Sequence, residues 1–248
     1  ISYCLRDCDE FPCDVFKAGM YPFGPRYLDM QKRRRNQTPS PQSPSGEAVK
    51  VPTEYWQELR QRDMEAVCRN TGAINHPHTG LLLPFLKEYL FIDMQKRSLF
   101  RQGHAQWERI DNPLLELVCL VYLLNACSET LARDMISVQE LKSAHFFSGP
   151  HELKIRPLLI RYGEDFEGFK KAAERVGGDV LKLADIAYEF LVFPKVPLYY
   201  LFWKGDEEFQ PTLSILFDRS IEYHLAADAI WGLVNLVSGI LISGDSGA

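Results

Sequence analysis

IAYEFLVFPKVPLYYLFWKGDEEFQPTLSILFD, residues 186–218, is the stretch on which the fold turns. It holds three β-favouring apolar runs, Ile186–Phe193, Leu198–Trp203 and Thr212–Phe217, each too short for a helix and bounded by turn chemistry. Pro194 and Pro197 punctuate the first gap, and Gly205 with Asp206, Glu207 and Glu208 makes an acidic turn in the second. Three consecutive strands with short gaps predict an antiparallel meander. Its aromatic residues, Tyr188, Phe190, Phe193, Tyr199, Tyr200, Phe202 and Trp203, face both ways, so the sheet should be covered on both sides.

Working outward, the flanks read as helices. Asp111-Asn112-Pro113 starts one that runs through an apolar stretch, Leu114–Cys127. Leu153–Tyr162 and Phe166–Val176 follow, the second stopped by Gly177-Gly178. Asp228 caps or adjoins a last apolar helix, Ala229–Ile242. Upstream, Glu54–Arg69 reads as one helix with Thr53 as N-cap, residues 75–80 as a turn, and Leu81–Leu86 and Tyr89–Met94 as short strands. Strands in sequence with helices to either side predict an α+β fold: helices packed around a small, mainly antiparallel sheet, with a short cysteine-rich N-terminal segment.

The chain of 248 residues is 46% hydrophobic and 25% charged, the balance of a globular protein. A net charge of −5 argues against nucleic acid as the partner. The apolar helices fall short of the ~20 residues that span a bilayer, so no membrane span is expected. The chain opens Ile1-Ser2-Tyr3-Cys4, without a basic start or an apolar run, which predicts no secretory leader and a cytoplasmic, reducing setting.

Residues 36–53, NQTPSPQSPSGEAVKVPT, are too polar and proline-rich to bury a core and read as a linker. They divide a cysteine-bearing head, residues 1–35, from a body, residues 54–248. In the head Cys4, Cys8 and Cys13 are spaced C-x3-C-x4-C, close enough to wrap one metal centre. Thiolates suit an iron–sulfur cluster or zinc. A fourth ligand is expected from upstream of Ile1, from Cys68 or from a non-cysteine group. Lys32–Arg35 reads as a solvated basic helix end, His76 and His78 as an exposed turn rather than half a metal site, and Cys119 and Cys127 as small buried hydrophobes.

In the body, Trp203, Asp206, Glu207, Asp218 and His224 are the candidate ligand- or cofactor-binding residues. If the hairpin pairs simply, Asp218 lies at the far end from the acidic turn, and His224 faces it across a short helix. No Ser-His-Asp order, phosphate loop or paired-histidine zinc motif accompanies them.

Several stretches carry a family resemblance: Glu58-Leu59-Arg60 with Asp63 leading to Thr71-Gly72-Ala73, Leu83-Pro84-Phe85-Leu86-Lys87-Glu88-Tyr89, Phe193-Pro194-Lys195-Val196-Pro197-Leu198, Trp203 to Phe209, and Leu216-Phe217-Asp218. Over residues 54 to 242 the chain resembles the prokaryotic domain of unknown function 3786 family, departing at Gln210-Pro211, where the family pattern has two prolines. The resemblance implies a companion of anaerobic, iron–sulfur or corrinoid-linked metabolism. Together these readings predict an iron–sulfur-binding (4Fe-4S) accessory or electron-transfer subunit that docks on a larger redox or corrinoid-linked enzyme and has no catalytic activity of its own. The alternatives are a zinc-stabilised module binding a protein or cofactor and, with least weight, an enzyme with an acidic site around Asp206 and Glu207.

Overall fold

The computed structural model describes residues 51–76, 80–103 and 106–244. Cys4, Cys8 and Cys13, the basic run Lys32–Arg35, the proline-rich stretch up to residue 50, and His78 lie outside the described residues.

Among the described residues the architecture is α+β, with seven helices and two five-stranded antiparallel sheets. The helices are α1 (Thr53–Gln61), α2 (Met64–Thr71), α3 (Pro113–Asn125), α4 (Arg156–Tyr162), α5 (Phe166–Arg175), α6 (Ile221–His224) and α7 (Ala227–Ser243). The first sheet is a meander of β1 (Ile74–His76), β2 (Gly80–Phe85), β3 (Glu88–Asp93), β4 (Ser98–Gln102) and β5 (Trp107–Ile110). The second has the order β6-β10-β9-β8-β7, from β6 (Met135–Ile136), β7 (Asp179–Leu181), β8 (Ile186–Phe193), β9 (Val196–Trp203) and β10 (Thr212–Asp218).

The three strands of the opening stretch form as expected, and β9 is buried at every residue but Trp203. Pro197 belongs to β9 rather than to the gap before it, opposite Leu191 and beside a register irregularity between Leu191 and Phe193. Val192, the residue passed over there, turns its carbonyl to the amide of Leu86 at 3.0 Å. Leu86 has a left-handed backbone (φ 51°) at the β2–β3 turn. The two sheets are thus tied by a backbone bond where the Phe85 and Phe193 rings meet, 5.7 Å apart.

Helix α3 starts as its sequence dictates: the Asn112 side chain accepts from the Leu115 amide at 3.0 Å, and Pro113 occupies the first turn. It is buried on most faces, as a helix apolar all round must be. It packs on α7, where a Cβ on Gly232 would lie only 3.2 Å from Leu114 Cδ1. Asp228 sits in the first turn of α7, beside the N-cap position that Ala226 takes.

The expected single helix over Glu54–Arg69 is two helices. Arg62 is extended, and Asp63 restarts the helix by accepting from the Glu65 amide. Thr53 is the first helical residue, not the cap; Pro52 holds that position. The expected helix over Leu153–Tyr162 begins only at Arg156, and β4 and β5 were not foreseen.

Gly72 ends α2 with φ 73°, and a Cβ there would sit 2.9 Å from the Pro194 ring. Gly72→Ala is therefore expected to cost about 1–3 kcal/mol and lower the melting temperature by several degrees. A calorimetric scan checks this, and an unchanged melting temperature would contradict it.

Candidate functional site

The β8–β9 turn, Phe193-Pro194-Lys195-Val196, sets one side of the site. Phe193 stacks on Tyr122 of α3, with centroids 4.4 Å apart and planes 8° from parallel. The Tyr122 hydroxyl donates to the Thr71 carbonyl at 2.9 Å, and burial holds it well above the usual phenol range. The Lys195 ammonium reaches the Cys127 carbonyl at 2.7 Å, just past the end of α3.

The end of β10 sets the other side. Asp218 has no exposed surface. Its carboxylate accepts from the amides of Ala132 (2.9 Å), Arg133 (2.7 Å) and Ser220 (2.9 Å), and from the Ser220 hydroxyl. Burial alone would raise its pKa; these four donors outweigh burial and hold the carboxyl below its ordinary value. His224, at the end of α6, is equally sealed. Its Nδ1 takes the Cys127 amide at 3.5 Å, and among the described residues its buried Nε2 has no partner. Burial first, and then the Lys195 charge against an opposing pull from Asp218, lowers the imidazole to about 4.

At neutral pH the site therefore pairs an ionised carboxylate with a neutral imidazole, both closed to solvent. The carboxylate is committed to four donors, two of which, the Ala132 and Arg133 amides, pin the 126–134 loop to the strand end. Glu222 holds the next loop in the same manner, accepting from the amides of Lys142 (2.8 Å) and Ser143 (2.9 Å) and from the Ser143 hydroxyl (2.7 Å). These side chains build the framework of the fold.

The other candidates lie elsewhere. The pairing runs from Thr212 opposite Trp203 to Phe217 opposite Leu198, which separates the acidic turn from Asp218 by roughly 17 Å of strand. Asp206 Oδ1 caps its own turn, accepting from the amides of Phe209 and Glu208 at 2.8 Å each, and these bonds lower its pKa. Glu207 is exposed and Trp203 is 37% exposed. The structure thus brings together Asp218 and His224, but not Trp203, Asp206 and Glu207. Sequence reasoning missed Lys195 and Cys127 as members of the site; the Phe-Pro-Lys turn was legible only as punctuation.

The thiols of the body pack inward. Cys68 lies against the core and Cys119 is fully buried, and burial raises the pKa of both. With no metal bound, such thiols stay protonated at neutral pH. Cys127 lies beyond α3 and is only half-buried, unlike the buried helix position expected for it. No group of three or more His, Cys, Asp or Glu side chains able to hold a metal occurs among the described residues.

A second feature has the opposite character. The register of the first sheet puts Ile74, Leu82, Tyr89, Phe91, Phe100 and Trp107 on the face turned away from its buried residues. Ile74, Tyr89 and Trp107 are 52%, 50% and 41% exposed. The Phe91 ring lies 5.5 Å from Trp107, 6.2 Å from Phe100 and 5.4 Å from His76. The expected exposed turn at His76 is the end of β1, and the imidazole joins this aromatic face.

The buried imidazole has a pH signature. Its folded pKa of about 4 lies below the unfolded value, so between pH ~6.5 and ~4 the unfolded chain takes up a proton that the folded chain refuses. Stability is expected to fall by roughly 3 kcal/mol across that window. Asp218, whose pKa is also depressed, loses its contribution only at still lower pH, as pH falls through its folded value. Urea midpoints at pH 7.5 and 4.5 test this: His224→Gln should flatten the dependence, and the His224 ring resonances should not titrate above pH 5. Titration near pH 6.5 would contradict the burial argument.

No curated protein and no solved structure matches the chain. A family model described as Domain of unknown function (DUF3786) matches residues 63–239, and the chain belongs to that family.

Proposed function

We propose that this protein is a non-catalytic accessory of a larger redox enzyme: the N-terminal thiols bind an iron–sulfur cluster, and the body docks on the enzyme. The observation that carries the docking half is the aromatic face of the first sheet, with Ile74, Tyr89 and Trp107 exposed around Phe91. Clustered, exposed aromatic and apolar side chains mark protein interaction surfaces. The carboxylates of the body support the same reading: buried Asp218, half-buried Glu222 and exposed Asp206 are each engaged in holding a loop or turn.

The metal half rests on the spacing of Cys4, Cys8 and Cys13 in the sequence, whose soft donors suit an iron–sulfur cluster. A cluster there would supply one-electron redox capacity. The family resemblance points to a redox or corrinoid-linked partner of anaerobic metabolism, and the proposal places both in a reducing cytoplasm in which thiolates persist. No helix among the described residues is long and apolar enough to cross a membrane. Zinc at the same thiols, with the body binding a protein or cofactor, is the alternative.

Purification of the full chain without oxygen, followed by iron, zinc and acid-labile sulfide analysis, tests the metal half. The expected product is coloured and loses iron and absorbance in Cys8→Ser and Cys13→Ser. Zinc without iron would favour the alternative, and a protein free of both would end the proposal. For the docking half, a photo-crosslinking benzoylphenylalanine at position 107 should capture one discrete larger protein in cells, whereas the same probe at position 207 should not. No discrete adduct at 107 would contradict it.

A further inference from the structure

We propose that the open edge of β10 receives an extended, acidic-ended peptide segment of a partner protein as an added strand. This goes beyond the reading above and stands whether or not the N-terminal thiols hold a cluster.

β10 pairs along its length with β9 on one side, but on the other side β6 covers only Phe217 and Asp218. The direction of the unpaired groups follows from one bond. The Arg219 amide donates to the Asp134 carbonyl at 2.9 Å, next in register to the Asp218–Met135 pair. Alternate residues of an antiparallel strand address the same edge. Phe217, Ile215 and Leu213 therefore turn their N–H and C=O groups that way. Among the described residues nothing bonds Leu213 or Ile215 from that side.

The chain itself prevents β6 from going further. Ser137 and Glu140 close a capping box, Glu140 Oε2 accepting from the Ser137 amide at 2.8 Å and its hydroxyl at 2.9 Å. That box turns the chain into a 3-10 turn at Val138–Glu140, which ends the strand pairing while staying packed beside β10. The space left is a cleft of about 650 Å³, within the usual range of ligand sites (~300–1,000 Å³). Ser214, Ile215 and Leu216 form one side of it, and Val138, Leu153 and Ile155 lie among the other lining residues.

Leu213 and Ile215 are only 5% and 4% exposed, so this edge opens into the cleft rather than onto bulk water. An unpaired edge is normally guarded by charge, proline or a bulge. Thr212-Leu213-Ser214-Ile215-Leu216 has neither charge nor proline, and it pairs with β9 without a register shift. Five residues of edge offer about 17 Å, enough for a short strand. Main-chain hydrogen bonds would supply affinity, and the apolar wall would select alternate side chains. The rim carries Lys154 and Arg156 against Glu152. Arg156 is exposed and forms no ion pair among the described residues, which favours acidic ends on the bound segment.

The test is an amide-resolved NMR titration of the full chain with a capped probe peptide, Glu-Val-Thr-Val-Thr-Val-Glu. The Leu213 and Ile215 amides should exchange rapidly in the free protein, then shift and gain protection with peptide. Arg156→Glu, an exposed change, should weaken binding about five-fold. A peptide N-methylated at alternate residues, which cannot pair, should not bind. Protection of these amides in the free monomer, or no response to the probe, would overturn the proposal. Their protection through concentration-dependent dimerisation would assign the edge to a second copy and also overturn it.

Discussion

A carboxylate with no exposed surface organises one end of the molecule. Asp218 would be costly to bury as an ion without partners, so its four donors are a condition of the fold rather than an ornament. Two of them, the amides of Ala132 and Arg133, come from a loop 85 or more residues earlier in the chain. Pinning that loop forces the turn at Arg133, where φ is 55°, and delivers Met135 and Ile136 to the end of β10. The Ser137–Glu140 box then ends that short pairing. One buried charge thereby decides how much of β10 is covered and how much is left open.

The rest of the body is coupled to that end through hydrophobic layers. Helices α3 and α7 fill the interior, the β8–β9 turn locks onto Tyr122 and Gly72, and the Leu86–Val192 bond joins the sheets. The polar groups that look reactive in the sequence are engaged in this construction. Left without such engagement are an exposed aromatic sheet face and a strand edge unpaired beyond Phe217. The proposed function follows from that division: carboxylates committed to holding loops, and partners met through surfaces left uncommitted.

The sequence was legible where one local pattern sufficed. Asn112-Pro113 and the apolar run after it specify α3, and the three runs between 186 and 218 specify β8, β9 and β10. The separation of Asp218 from the acidic turn followed from hairpin logic, and its closeness to His224 from the short interval between them. Other features needed partners distant in the chain. β4 and β5 contain Arg101, Gln102, Glu108 and Arg109 and become strands through pairing with each other and, for β4, with β3. The break at Asp63 is a side-chain cap inside an otherwise helical pattern. The bond from Lys195 to Cys127 spans 68 residues to a backbone carbonyl, which leaves no mark in side-chain spacing.

Hydrogen exchange at the Ala132, Arg133 and Ser220 amides, in the wild type and in Asp218→Asn, tests the organising role of the buried carboxylate most directly. Slow exchange at all three is predicted in the wild type. The variant should lose it there and at the β6–β10 pair, while β8 and β9 stay protected. Fast exchange at these amides in the wild type, or protection that survives the substitution, would contradict the account.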